Sequence, residues 1–249
     1  MKAPRRPIKK PMMAGLVVIV IVLAILPVRE IYSFAEFSLY PARAKSSHLV
    51  RLENPASKLE VVLLGSAHYL HIDSESYPLW ELKSAIETLS SDAVFVEIRP
   101  ESINNGNWGE GPVEMPFCAF VAKDLGLDVK GMDDWSQSME TREGRMVQNI
   151  LEQSRNYHKI LVVTGYSHLP GLTDRLLTQG FVEVEWPRSE REKLFKSGPE
   201  KSFPAGLREA YLREFRQVDL GDSDFNEAWV SRRQKLVDQI DKTGKLQQY

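Results

Sequence analysis

The chain has 249 residues, 43% of them apolar, with 32 Lys and Arg against 34 Asp and Glu. This excludes wholesale disorder and allows one globular domain with a real core, and a net charge of −2 excludes a partner such as nucleic acid held by global basicity. A single cysteine, Cys118, excludes an internal disulfide.

The charge is uneven. Lys2, Arg5, Arg6, Lys9 and Lys10 make residues 1–10 a basic tail, and no acidic residue precedes Glu30. Pro11 to Val28 then carries no charge, and Met12 to Leu26 is an unbroken apolar run. As a helix this stretch spans about 27 Å, close to the roughly 30 Å of a bilayer's hydrocarbon core. It has no polar face, so lipid suits it better than the edge of a small core. A cleaved signal peptide would show small residues close behind the run, but Pro27 to Tyr32 follow, and the first Ala-x-Ala, at Ala42 and Ala44, lies far downstream. The expectation is an uncleaved signal-anchor over 11–28. Its N-terminus is cytoplasmic and the main domain extracytoplasmic, in the periplasm or at the cell exterior. No cysteine follows the run to carry a lipid.

Residues 29–57, with Pro41, Ser46, Ser47, Asn54 and Pro55, read as a spacer, and the domain proper is expected from Lys58. From there short apolar runs alternate with amphipathic stretches. Strands are expected at 59–64, 93–98, 128–132, 159–164 and 181–186, and helices at 76–90, 112–126, 136–157 and 171–179. The order βαβαβαβαβ with continuously apolar strands predicts an α/β fold, a mostly parallel sheet with helices on both faces, over 58–186. The alternating Phe181 to Trp186 reads as an edge strand. Residues 187–249 are densely charged. Their apolar stripes, Leu207, Tyr211, Phe215, Val218 and then Trp229, Leu236, Val237, Ile240, predict helices packed on the core, the last capped by Asp224 with Glu227, with a partner-binding helix as the other use.

In open α/β sheets ligands collect at the carboxyl ends of the strands, and four such ends carry chemically versatile residues. These are Gly65-Ser66-Ala67-His68, Glu97-Ile98-Arg99, Gly131-Met132-Asp133-Asp134 and Gly165-Tyr166-Ser167-His168. Two are the same Gly-x-x-His, among five histidines in the chain. Imidazoles from His68 and His168 with the carboxylate of Glu97 make a three-ligand open site for a divalent metal, Mn, Zn or Co, with room for water. Arg99, two residues past Glu97, would share its strand face if the strand continues that far, to hold a substrate carboxylate or stabilise an oxyanion. Glu114, behind Pro112, would open a helix and act as base or orienting partner. Plainer uses compete: a structural ion pair for Glu97 and Arg99, a helix-dipole partner for Glu114, a helix cap for Asp133 and Asp134. His71 reads as a surface or supporting residue, His48 and His158 as bystanders, Cys118 as a buried inert thiol, and the loop over 104–111 equally as a lid with Trp108 as its contact residue or as a mobile connection.

In order and type these motifs resemble the TraB/PrgY/GumN/Tiki superfamily, with its erythromycin esterase-like and ChaN-like relatives. LLGSAH at 63–68 resembles its first Gly-x-x-His, VFVEIRP at 94–100 its strand ending in glutamate, and Glu114 in VEMPFCAFVAKDLG its second glutamate. REGRMVQNI at 142–150 is similar to its Arg-Met helix and ILVVTGYSHLPGL at 160–172 to its second Gly-x-x-His, while Trp135 stands near where it often has an arginine. The resemblance implies a metal-dependent hydrolase, with tethered peptidases and esterase-like members among its kinds; joined to the reading of the residues, the expected catalytic set is His68, Glu97, Arg99, Glu114 and His168, and a structural domain with a vestigial site is the plainest reading. In esterase-like members the first histidine is the general base. A non-catalytic haem- or peptide-binding domain is the alternative it implies, and a homodimer is compatible with either.

Overall fold

The computed structural model describes residues 45–68, 70–74, 76–109, 111–134 and 138–195, with residues 209, 212–213, 234–235, 237–239 and 241–242 beyond them. The basic tail, the apolar run at 11–28, most of the expected spacer, Trp135 and the Asp224–Glu227 cap lie outside these residues. Among the described residues no helix is long and apolar enough to cross a membrane.

After a 3-10 turn at Lys45–His48, the elements run β1 (Leu49–Glu53), β2 (Glu60–Ser66), α1 (Leu70–Asp73), α2 (Leu79–Leu89), β3 (Ala93–Val96), α3 (Pro100–Asn104), α4 (Glu114–Asp124), β4 (Asp128–Gly131), α5 (Met139–Gln153), β5 (Lys159–Gly165), a 3-10 turn (Tyr166–His168), α6 (Leu169–Thr178), β6 (Val182–Glu183) and α7 (Arg188–Lys193). Six strands form one mixed, mostly parallel sheet in the order β4-β3-β5-β2-β1-β6. β2, β5, β3 and β4 are parallel, and β1 pairs antiparallel with both β2 and β6.

The central strands are β-branched and buried on both faces because helices cover both. Val61, Leu63, Phe95, Ile160 and Val162 point into one core with Met146, Val147 and Ile150 of α5 and Leu169, Leu172 and Leu176 of α6. Their alternates Val62, Leu64, Val94, Val96, Leu161 and Val163 are equally buried, on the side where α4 packs on β3, β4 and β5 and α2 packs on α4. The chain steps outward from β2 through β3 to β4 along one face and returns on the other through α5, so that β5 inserts between β3 and β2. That reversal is the switch point where α/β sheets open a crevice.

The expected spacer ends earlier than Lys58: Leu49–Glu53 is a strand of the sheet. Only Leu49 and Leu52 of that stretch are buried, too sparse an apolar pattern to read as a strand. Its place comes from the hairpin with β2, in which the Asn54 side chain accepts from Ala56 N–H and Ser57 N–H and Lys58 takes a left-handed φ of 64°. β6 is one edge of the sheet, two residues long and exposed, and β4 is the other. Past α7 the described side chains of Leu212 and Val237 are buried, Val237 on a stripe that the sequence assigns to the core.

Beyond β4 the backbone crosses the β3 exit so closely that only glycine fits. A β-carbon on Gly131 would lie 2.6 Å from the carbonyl oxygens of Ile98 and Arg99. Backbone cannot move aside as a side chain can, so Gly131→Ala is expected to lower unfolding free energy by about 1–3 kcal/mol. The measurement is a urea midpoint shift at unchanged slope.

Candidate functional site

The carboxyl ends of β3, β5 and β2 are neighbours in the sheet, and the residues that follow them meet above its edge. His68 follows β2, Glu97 follows β3 and His168 ends the turn after β5, while α4 brings Glu114 and α5 brings Arg142 and Glu143.

Each imidazole is held through Nδ1 by its own carboxylate. His68 Nδ1 lies 2.8 Å from Glu114 Oε1, which also accepts from Ser66 Oγ at 2.6 Å. His168 Nδ1 lies 3.2 Å from Glu143 Oε1. Both Nδ1 atoms are thus engaged by carboxylates, and the Nε2 atoms lie toward Glu97. His168 Nε2 is 3.7 Å from Glu97 Oε1, and His68 Nε2 and Glu97 Oε2 both line the space beyond the Gly165 α-carbon. Glu114 and His168 are buried, and His68 is the more open, its side chain 19% exposed.

Glu97 is the hub. Its Oε2 accepts from Thr164 Oγ1 at 3.0 Å and Gly165 N–H at 2.7 Å, and its Oε1 accepts from Arg142 Nη2. The same guanidinium grips Asp133 with Nε and Nη2. Burial alone would raise the Glu97 pKa, yet His168, His68, Arg142 and the Gly165 N–H together hold it below the usual range. Burial would likewise lower His68, but the charge and hydrogen bond of Glu114, with Glu97 behind, outweigh it and raise the imidazole above its ordinary value. Glu114, despite burial, is lowered by the same contact, with His71 and Ser66 adding to it.

The guanidinium in this site is therefore Arg142, and the expectation for Arg99 is corrected. β3 stops at Val96, so the two-residue alternation that would put Arg99 beside Glu97 does not extend that far, and Arg99 stands exposed at the start of α3. Arg142 and Glu143 escaped the reading of single residues because they sit far along the chain, on the first turns of α5. Their one signal was an adjacent Arg-Glu pair opening a helix, within a motif already matched on Arg and Met. Asp133 is no helix cap: it is buried and binds Arg142.

His71 is not at the surface. It is fully buried, with Nε2 accepting from Ala67 N–H at 2.8 Å and Nδ1 donating to the Tyr77 carbonyl at 2.6 Å. Burial lowers its pKa to about 4. His48 is buried too, stacked on Tyr77 and edge-on to Tyr166. Cys118 is fully buried, which pushes its thiol pKa up. Trp108 packs on Phe120 with Lys123 over its ring and donates to the Ile103 carbonyl. Phe120 and Lys123 lie in the half of α4 away from Glu114.

The donor types suit a divalent ion, because ligating imidazoles are commonly oriented by a carboxylate on the far nitrogen. Glu114 Oε2 is moreover buried with no hydrogen-bond partner among the described residues. Among those residues no group of three or more His, Cys, Asp or Glu side chains is gathered closely enough to hold an ion. An ion between His68, Glu97 and His168 would compete with Arg142 for Glu97. No family model, curated protein or solved structure matches the chain.

Two glycine substitutions separate site from fold. A β-carbon on Gly165 would lie 2.5 Å from His68 Nε2, although its φ of −55° and ψ of 138° suit any residue. Gly165→Ala is expected to expel the His68 ring, seen as a changed His68 signal in histidine-labelled NMR spectra. On Gly171 the β-carbon would meet Glu143 Oε2 at 2.0 Å, the end of a flexible side chain. Gly171→Ala should thus detach Glu143 from His168 while stability holds or rises by up to about 1 kcal/mol, as alanine replaces glycine in a helix.

Acid should act through His71. Its folded pKa of about 4 lies below the ordinary 6.5, so the folded form binds fewer protons than the unfolded one between those values. Its contribution is complete above pH 6.5 and lost as pH falls to about 4, on the order of 3 kcal/mol in all. Melting temperature against pH should show this acid limb in the wild type and a flatter one in His71→Gln.

Proposed function

We propose that this protein is a membrane-anchored hydrolase of peptides or small esters, of the TraB/PrgY/GumN/Tiki kind, with its site at the carboxyl edge of the sheet. One observation carries the reading: two strand-end imidazoles, each bonded through Nδ1 to its own carboxylate, leave their Nε2 atoms on either flank of a buried glutamate. A structural ion-pair network has no need of two such matched dyads beside one carboxylate.

His68 is the base in this scheme. With its Nδ1 proton held on Glu114, neutral His68 takes a proton from water at Nε2, and the carboxylate stabilises the imidazolium that forms. The proton returns from Nε2 to the leaving group. Arg142, oriented by Asp133 and Glu97, faces the negative charge that grows on the attacked carbonyl oxygen. His168, fixed by Glu143, completes the pocket beside Glu97. His68, Glu97 and His168 would hold a divalent ion, which would act as Lewis acid and ease ionisation of the attacking water.

A second reading has its own support: Glu97 already accepts from Arg142, Thr164 and Gly165, which favours base catalysis by His68 with no metal. Plasma mass spectrometry of the full chain beside His68→Ala and His168→Ala decides between them. About one divalent ion, lost in both variants, is the metal-dependent result. Turnover of a peptide and ester panel that survives chelation is the metal-free one. In both, His68→Ala is expected to lower turnover by about 10²–10⁴. Arg142→Lys, which cannot span Asp133 and Glu97, is expected to lower it by about 10²–10³. Absence of both ion and turnover would overturn the proposal.

A further inference from the structure

We infer that His71 is the positioning residue that sets the His68 ring in place, an inference that rests on the reading of His68 as the working imidazole. The turn that carries His68 is built in an unfavourable way: His68 itself has a φ of 49°, a left-handed conformation that a residue with a side chain adopts only when its surroundings hold it there.

The surroundings form a closed circuit of hydrogen bonds through Tyr77 and His71. Tyr77 O–H donates to the carbonyl of Gly65, ahead of the turn, at 2.8 Å, and its own carbonyl accepts from His71 Nδ1 at 2.6 Å. His71 Nε2 accepts from Ala67 N–H at 2.8 Å, and its backbone N–H donates to the His68 carbonyl at 3.1 Å. The two rings meet edge to face at 4.7 Å. Both nitrogens of His71 are therefore committed, one as donor and one as acceptor, which fixes its proton on Nδ1 and makes the imidazole a strut of set length between two backbone groups. The peptide it holds joins Ser66 to Ala67, one residue ahead of His68. On the far side of the turn the His68 ring lies against the α-carbon of Gly165, with no space between them for a methyl group. A small rotation at Ala67 would lift the ring from that seat and from Glu114 together.

Glutamine tests this role because its side chain presents one acceptor and one donor with similar spacing, whereas leucine fills the volume with neither. The probe is the Gly165 α-proton in the full chain, kept in detergent and glycine-labelled for NMR, with His68→Ala marking its position when no ring is present. In folded His71→Leu the Gly165 signal is expected to move to the His68→Ala position while glycines elsewhere, such as Gly126, stay put. In His71→Gln it should return toward wild type. A Gly165 signal unchanged in folded His71→Leu, or one that His71→Gln fails to restore, would overturn the inference. If His71→Leu does not fold, His71→Gln alone decides: a wild-type Gly165 signal supports the role, and one at the His68→Ala position refutes it. These signals need neither substrate nor metal, so a failure of the hydrolase reading shows separately, as missing turnover in a protein whose Gly165 signals behave as expected.

Discussion

A carboxylate buried at the edge of a sheet must be met by donors on every side, since leaving the charge unpaired would cost several kcal/mol. Glu97 sets that requirement, and the surrounding elements answer it. β5 supplies the Thr164 hydroxyl and the Gly165 N–H, and α5 supplies the Arg142 guanidinium, which Asp133 in the loop after β4 orients in turn. Three neighbouring segments thus converge on one side chain. The docking of α5 is reinforced further along the helix, where Asn149 and Gln153 donate to the carbonyls of Met132 and Gly131.

The paired Gly-x-x-His motifs interlock across the sheet. The glycine of the second motif is where it is because the histidine of the first needs the space: Gly165 has backbone angles open to any residue, but a β-carbon there would collide with His68. The second histidine depends in the same way on Gly171, whose bare α-carbon admits Glu143. Close approach is a stronger constraint at these positions than conformational freedom: the His68 ring can be seated only where the β5 exit leaves it room, and the carboxylate that holds His168 only where α6 does.

Much of this was legible in the chain. The four parallel strands and the main helices between them follow from apolar runs and amphipathic periods; His68, Glu97 and His168 stood out because a parallel sheet gathers its strand exits on one edge, and Glu114 because it follows Pro112 at a helix start. Arg99 shares a face with Glu97 only if the strand runs on to it, and β3 ends at Val96. His71 looked peripheral since nothing local shows that the Ala67 N–H and the Tyr77 carbonyl would close on it. β1 was passed over because a strand that buries two of its five residues is recognised by its partner and not by its own pattern.

By itself the sequence determined the class of fold and the residue types at the strand exits, because periodicity and strand order are properties of the local chain. Only the tertiary structure decided which carboxylate holds which imidazole, which arginine neutralises Glu97, and which glycine makes room for which ring. Those pairings join residues 25, 45 and 46 apart in the chain, and the point at which a strand stops decides which side chains can reach one another.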